Sequence, residues 1–124
     1  MAMTQSEWIE VKKILGKGRG VFARVAIPEG TVFERAPVLV VAWQPIEKST
    51  LADYVYEWGK GTVAVALGYG SLYNHSYAPN AYYEDLHGQT KHYVARREIA
   101  AGEEITINYN ADPDCKTDVG FEVR

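Results

Sequence analysis

The chain has 124 residues, the size of one ordinary domain, and its 47% hydrophobic and 23% charged residues suit a buried core beneath an ordinary polar surface. A net charge of -3 and an isoelectric point near 5.6 argue against direct nucleic-acid binding through a clustered basic face, and favour a cationic partner. One cysteine, Cys115, excludes an internal disulfide and a cysteine-rich zinc site.

In chain order the pattern reads as short strands separated by turns. Trp8 to Leu15, with apolar positions at Trp8, Val11 and Ile14, predicts a first strand. Gly16 to Gly20 predicts a flexible turn, followed by Val21-Phe22-Ala23. Pro28-Glu29-Gly30 predicts a turn that leads into Thr31 to Glu34. Val38 to Trp43, a continuous apolar run between Pro37 and Pro45, predicts a buried strand. Thr50 to Tyr56 stays open between two readings. Tyr54, Tyr56 and Trp58 alternate as in a strand, whereas Ser49 to Asp53 suits the start of a short helix. Thr62 to Leu67 predicts another strand and Ser71 to Ser76 a single helical turn. Ala81 to Leu86 and Lys91 to Ala95 predict a hairpin around His87-Gly88-Gln89. Glu103 to Tyr109 alternates as a last strand, and Ala111 to Arg124 is polar and weakly patterned. No repeat, low-complexity tract or linker divides the chain, which reads as one β-dominated domain.

Two stretches carry candidate chemistry. Gly18-Arg19-Gly20-Val21-Phe22-Ala23 fits the GxGxxA dinucleotide fingerprint, but that motif needs a crossover helix behind it. Only Arg24 to Ile27 separate it from Pro28, too few for that helix. What remains is a structural turn, or a place where backbone approaches a ligand closely because no side chain blocks it. Asn74-His75-Ser76-Tyr77-Ala78-Pro79-Asn80 is the other. His87 and His92 do not pair with His75 at metal-ligand spacing, no nucleophile elbow is present, and a polar turn closed by Pro79 is the plain alternative.

Taken in order, GxG at Gly18 to Gly20, NHSxxPNA from Asn74 and GEEITINY ending at Tyr109 strongly resemble the SET-domain family of protein-lysine methyltransferases. The resemblance covers Ile14 to Tyr109, and the bridge from Leu67 to Tyr73 resembles small standalone members. It implies a mainly β fold (a β-clip) of several short sheets with few short helices and a knot-like threading of the last strand beneath a preceding loop. The domain would span residues 1–110, with 111–124 as a tail that closes the cofactor site. Asn74 to Pro79 would then lie against Glu103 to Tyr109. The resemblance further implies S-adenosylmethionine as cofactor, held by Gly18, Arg19 and Gly20 at its methionine end. Asn74 would hold it through the side chain and His75 largely through its backbone near the adenine. Tyr109 would orient methyl and amine through its hydroxyl, and Tyr83, Tyr56 and Tyr69 would wall the lysine channel. A hydroxyl at Tyr83 would crowd out further methyl groups. Glu103 and Glu104 would serve turn and ion-pair structure, and no metal is implied.

The chemistry agrees with such a site. A free lysine has a pKa of ~10.4, so neutralising it near pH 7.4 costs about 4 kcal/mol; a narrow, dry, tyrosine-lined channel lowers that cost. The nine tyrosines against three phenylalanines suit walls that are apolar on one side and polar on the other. Two features depart from the family pattern. The chain lacks cysteine-rich flanking segments, so Phe121 in the tail is expected to pack on the adenine, and dimerisation would be another way to complete the substrate groove. Val38 to Trp43 has no tyrosine where some relatives place a channel residue. The expected substrate is a lysine of a histone or another basic protein, such as a ribosomal one, and the alternative function is a non-catalytic module that binds cofactor or peptide. No apolar run approaches the ~20 residues of a membrane span, and Met1 to Glu7 lack a signal-peptide layout. The expectation is therefore cytoplasmic, or nuclear in a eukaryote, and not secreted.

Overall fold

The computed structural model describes residues 6–16 and 18–119. Nine strands form two sheets. In chain order they are β1 (Ile9–Ile14), β2 (Gly18–Ala23), β3 (Val32–Ala42), β4 (Val55–Glu57), β5 (Thr62–Ala66), β6 (Asn74–His75), β7 (Ala81–Leu86), β8 (Thr90–Ala95) and β9 (Glu104–Ile107). The first sheet has the order β1-β2-β9-β6 and the second β4-β5-β3-β8-β7. A 3-10 turn at Thr50–Tyr54 is the sole helical element among the described residues, and none of them forms a helix long and apolar enough to cross a membrane.

The hairpin forms as the alternation predicts, with Tyr83 opposite Tyr93 and Asp85 opposite Lys91. Gly88 and Gln89 take positive φ to close it. Four expectations need correction. Gly18 to Gly20 belong to β2 and pair with β1, so the turn is confined to its start near Gly16. Thr31 to Glu34 and Val38 to Trp43 are not two strands but one, β3, which pairs with β8 up to Pro37 and with β5 from Val38. Pro37 lies at that changeover, where its missing N–H falls between the two ladders. The apolar run after it is only half buried: Val38 is in the core while Leu39 is 53% exposed. Finally, Ser71 to Ser76 holds no helical turn. Asn74 and His75 form the two-residue strand β6, parallel to β9, with Asn74 opposite Thr106 and His75 opposite Ile107. The segment left open resolves into both readings, the 3-10 turn followed by β4.

The core lies between the sheets. Ile105 and Ile107 of β9 point inward by strand alternation, joining Ile9, Val21, Phe33, Tyr73, Tyr93 and Ile99. Tyr73 stacks on Tyr93 with centroids 4.6 Å apart and meets Phe33 edge-on at 6.1 Å. β9 thus runs between β2 and β6. That insertion brings three segments distant in sequence to one edge of the molecule, where the site lies.

Candidate active site

The first part of the site is built on β2. β9 pairs with β2 only at Val21 and Phe22, so no strand covers residues 18–20 on the side away from β1. Asn74 reaches that edge: its Nδ2 donates to the Arg19 carbonyl at 3.0 Å and to Glu104 Oε2 at 2.7 Å. Gly20 is required by this approach. A Cβ there would stand 2.6 Å from Ile14 Cδ1, 2.7 Å from Glu104 Oε2 and 3.0 Å from Asn74 Nδ2. Gly20→Ala is therefore expected to destabilise the protein by roughly 1–3 kcal/mol through overpacking. Urea unfolding would show a lower midpoint at unchanged slope; an unchanged midpoint would mean that Asn74 and Glu104 yield at no cost.

The second part is a groove of about 420 Å³ lined by Asp53, Tyr54, Tyr56, Glu57, Tyr83, Asp85 and Tyr109, with Tyr73 among its deeper lining residues. Tyr56 donates to the Gly70 carbonyl at 2.5 Å, and the buried Tyr93 hydroxyl lies 3.1 Å from both that carbonyl and the Tyr56 oxygen. Beneath them Glu34 is buried, accepting from the Tyr73 hydroxyl at 2.6 Å and from the Tyr69 N–H at 2.8 Å. Burial raises the Glu34 pKa, and those two hydrogen bonds oppose the rise. Burial likewise pushes Tyr56, Tyr73, Tyr83 and Tyr93 above the ordinary phenol value, so the walls are neutral rings and hydroxyls. Three carboxylates, Asp53, Glu57 and Asp85, sit among the lining residues, a charge pattern that attracts cations.

Tyr109 joins the two parts. Its hydroxyl donates to the Tyr73 carbonyl at 2.6 Å, and its backbone N–H donates to His75 Nδ1 at 2.9 Å. The acceptor role of Nδ1 puts the imidazole proton on Nε2, and burial lowers the His75 pKa, keeping the ring neutral. The His75 backbone is engaged in β6, so its side chain has a role that the motif reading does not supply: it fixes Tyr109. Burial, then the Glu104 charge, push the Tyr109 phenol up to about 12. It is protonated at neutral pH, and its hydroxyl is a hydrogen-bond donor to Tyr73.

The structure brings Gly18, Arg19, Gly20, Asn74, His75 and Tyr109 together, and gathers Tyr56 and Tyr83 into the groove. Tyr69 is not among the groove's lining residues; its ring packs on the core while its N–H serves Glu34. Phe121 lies outside the described residues. The tail up to Val119 folds back: Asn108 Nδ2 donates to the Cys115 carbonyl at 2.6 Å, Lys116 Nζ to the Tyr77 carbonyl at 2.6 Å, and the Val119 N–H to the Tyr77 hydroxyl at 3.1 Å. Tyr77 in turn packs edge-on against His75 at 4.4 Å. Sequence reasoning missed Tyr54, Tyr73, Glu34 and Lys91. Tyr54 was one residue of an alternating run and had no mark of its own. Lys91, however, shares the Tyr93 and Ala95 face by strand parity, a usable signal.

The chain is similar to known proteins. The family model for the SET domain matches residues 18–110. A histone-lysine N-methyltransferase of Schizosaccharomyces pombe, H3 lysine-37 specific, is 38% identical over 106 residues, covering 82% of this chain and 72% of that protein. The solved structure of a candidate histone methyltransferase from Plasmodium falciparum superposes with a TM-score of 0.71 at 33% identity, covering 86% of this chain and 95% of that one. With the GxG edge, the Asn-His-Ser strand and the terminal tyrosine meeting as they do, the chain belongs to the SET-domain family of protein-lysine methyltransferases.

Proposed function

We propose that this chain transfers a methyl group from S-adenosylmethionine to a lysine of a basic protein, with histone H3 as the first substrate class, and favours low methylation states. The observation that carries the reading is Tyr109. Its hydroxyl is pinned to the Tyr73 carbonyl at the wall of an acidic, tyrosine-lined groove, and its backbone is tied to His75 beside the Asn74 cluster. The relative from Schizosaccharomyces pombe, named for H3 lysine-37, supports the choice of substrate.

The residues present suit the cofactor. The uncovered edge at Gly18, Arg19 and Gly20 offers backbone groups to an amino-acid end, Gly20 lets the Asn74 side chain approach that edge, and the Asn74 carbonyl oxygen is left to accept. When bound, S-adenosylmethionine supplies a sulfonium-activated methyl group with a good leaving group, which leaves alignment and deprotonation to the protein. The carboxylates Asp53 and Glu57 draw in the cationic side chain. Further in, the rings of Tyr56, Tyr83 and Tyr73 exclude water and favour the neutral amine. The Tyr109 hydroxyl then orients the amine lone pair. The Tyr83 hydroxyl takes up room that additional methyl groups would need. Residues 111–119, folded back onto Asn108 and Tyr77, serve as the cover of the cofactor site.

The test is incubation of the purified chain with labelled S-adenosylmethionine and recombinant histones, with calorimetry of cofactor binding for the full chain and for a chain ending at Tyr109. Label on histone H3 is expected, together with cofactor binding that the shortened chain loses. Binding without transfer to any basic protein would instead favour a non-catalytic module, and equal binding by the shortened chain would remove the tail from the site.

A further inference from the structure

Lys91 belongs to neither part of the site as described, yet its side chain is wholly buried directly behind the groove wall. Its Nζ lies over the ring of Tyr56, 3.9 Å from the centroid, over Tyr83 at 4.1 Å and within 5.7 Å of Trp58. Its ion-pair partner is Asp85, directly opposite on β7. Burying an ammonium is costly, and a methionine of similar length would fill the space without desolvating a charge. What the ammonium adds is attraction to two ring faces at once. Desolvation lowers its pKa, and contact with Asp85 opposes this and favours the charged form.

Three of the groove tyrosines, Tyr56, Tyr83 and Tyr109, are held unequally. Tyr109 is fixed by hydrogen bonds to Tyr73 and His75, and Tyr56 by its bond to Gly70. The Tyr83 hydroxyl has no hydrogen-bond partner among the described residues. Its ring is held by the edge of Tyr56 at 5.0 Å, by Tyr93 at 6.2 Å and by the Lys91 ammonium. The cation is thus the polar contact that sets the angle of the Tyr83 ring. We propose that Lys91 is a positioning residue for the methyl-accepting channel, clamping Tyr83 from behind and thereby limiting how many methyl groups the target amine receives. This rests on the reading of the groove given above.

The experiment compares the full-length chain with Lys91→Met, Lys91→Arg, Tyr83→Phe and the Lys91→Met/Tyr83→Phe double variant on recombinant histone H3, with products counted by intact mass. Lys91→Met is expected to raise the ratio of di- and trimethyl to monomethyl product by about threefold or more, the scale on which losing one cation–π contact shifts a partition. Lys91→Arg, which keeps a cation, is expected to retain the wild-type distribution. In the Tyr83→Phe background the Lys91→Met change is expected to add nothing, because the clamp acts by fixing where the Tyr83 hydroxyl stands, and that variant has no hydroxyl. Thermal melts check folding, and Lys91→Gln replaces Lys91→Met if the latter does not fold. An unchanged distribution in the neutral variant of an active enzyme would overturn the proposal, as would a full additional shift in the double variant. A wild-type chain that methylates nothing would overturn the reading of the groove, and this proposal with it.

Discussion

Replacing Tyr109 with phenylalanine is expected to lower kcat by about two to three orders of magnitude, the scale seen when one oriented hydrogen-bonding group is removed from a reacting centre. Cofactor affinity is expected to stay within a few fold. The substitution keeps the ring, its contact with His75 at 5.1 Å and the backbone bond to His75 Nδ1. What goes is the hydroxyl, held 2.6 Å from the Tyr73 carbonyl. Fold stability is expected to fall by only about 1 kcal/mol, the net worth of one hydrogen bond to a partly exposed group. Single-turnover transfer at saturating S-adenosylmethionine, beside calorimetry, separates these effects. A rate within threefold of wild type would show that alignment does not depend on the hydroxyl, and the proposed role of Tyr109 would fall. A loss confined to KM would instead assign the hydroxyl to substrate binding alone.

Why the hydroxyl is worth so much follows from what supports it. Tyr73 is buried, stacked on Tyr93 and anchored to Glu34 through its own hydroxyl. The carbonyl that receives the Tyr109 bond is therefore on backbone that cannot drift, since moving it would disturb a buried carboxylate. Gly68 and Gly70 belong to the same support. A Cβ on Gly68 would stand 2.7 Å from Glu34 Oε2, and one on Gly70 2.8 Å from the Tyr93 hydroxyl. The groove is precise because its floor is packed and the polar groups of that floor, on Glu34, Tyr73 and Tyr93, are hydrogen-bonded.

Much of this was legible before any coordinates, for reasons that differ by segment. The β7–β8 hairpin could be read because its alternation and its glycine turn are local properties of the chain. The meeting of Asn74, Tyr109 and Gly20 could not be derived from local pattern and came only through the resemblance in motif order. β6 illustrates the reason: two residues have no measurable period, and their extended shape comes from pairing with β9 some thirty positions later. Pro37 misled in the opposite way, since a proline that would break a single ladder is harmless where a strand changes partners. Glu34 and Lys91 were hidden by chemistry. Charged residues are expected at the surface, and Glu34 is buried beside a register shift in β3 that upsets the parity a reader would use.

The largest effect on stability is expected from Asn80, a residue outside the groove. Asn80→Ala is expected to cost roughly 3–4 kcal/mol, because it leaves buried backbone groups without partners as well as losing their bonds. The side chain is 4% exposed and serves both sides of the β9 crossing. Its Oδ1 accepts from the Thr106 N–H at 2.9 Å, while its Nδ2 donates to the Glu104 carbonyl at 2.8 Å and to Glu103 Oε2 at 3.1 Å. Those bonds tie the segment after β6 to β9 at the point where β9 enters between β2 and β6, so the asparagine acts as the rivet of that insertion. Glu103 adds to it: its hydrogen bond with Arg97 holds its pKa down to about 2, so it stays a charged acceptor for Nδ2 at any ordinary pH. Against a total stability of about 5–15 kcal/mol, that loss removes from about a fifth to about four fifths of the whole. Urea titration followed by tryptophan fluorescence measures the loss. Asn80→Asp is the sharper probe, since it keeps the acceptor for Thr106 but turns an acceptor toward the Glu104 carbonyl and Glu103, and it is expected to be at least as damaging as alanine. A loss below about 1 kcal/mol for alanine would mean that water replaces the side chain, and that the insertion of β9 is held by strand pairing and the Ile105 and Ile107 core contacts alone.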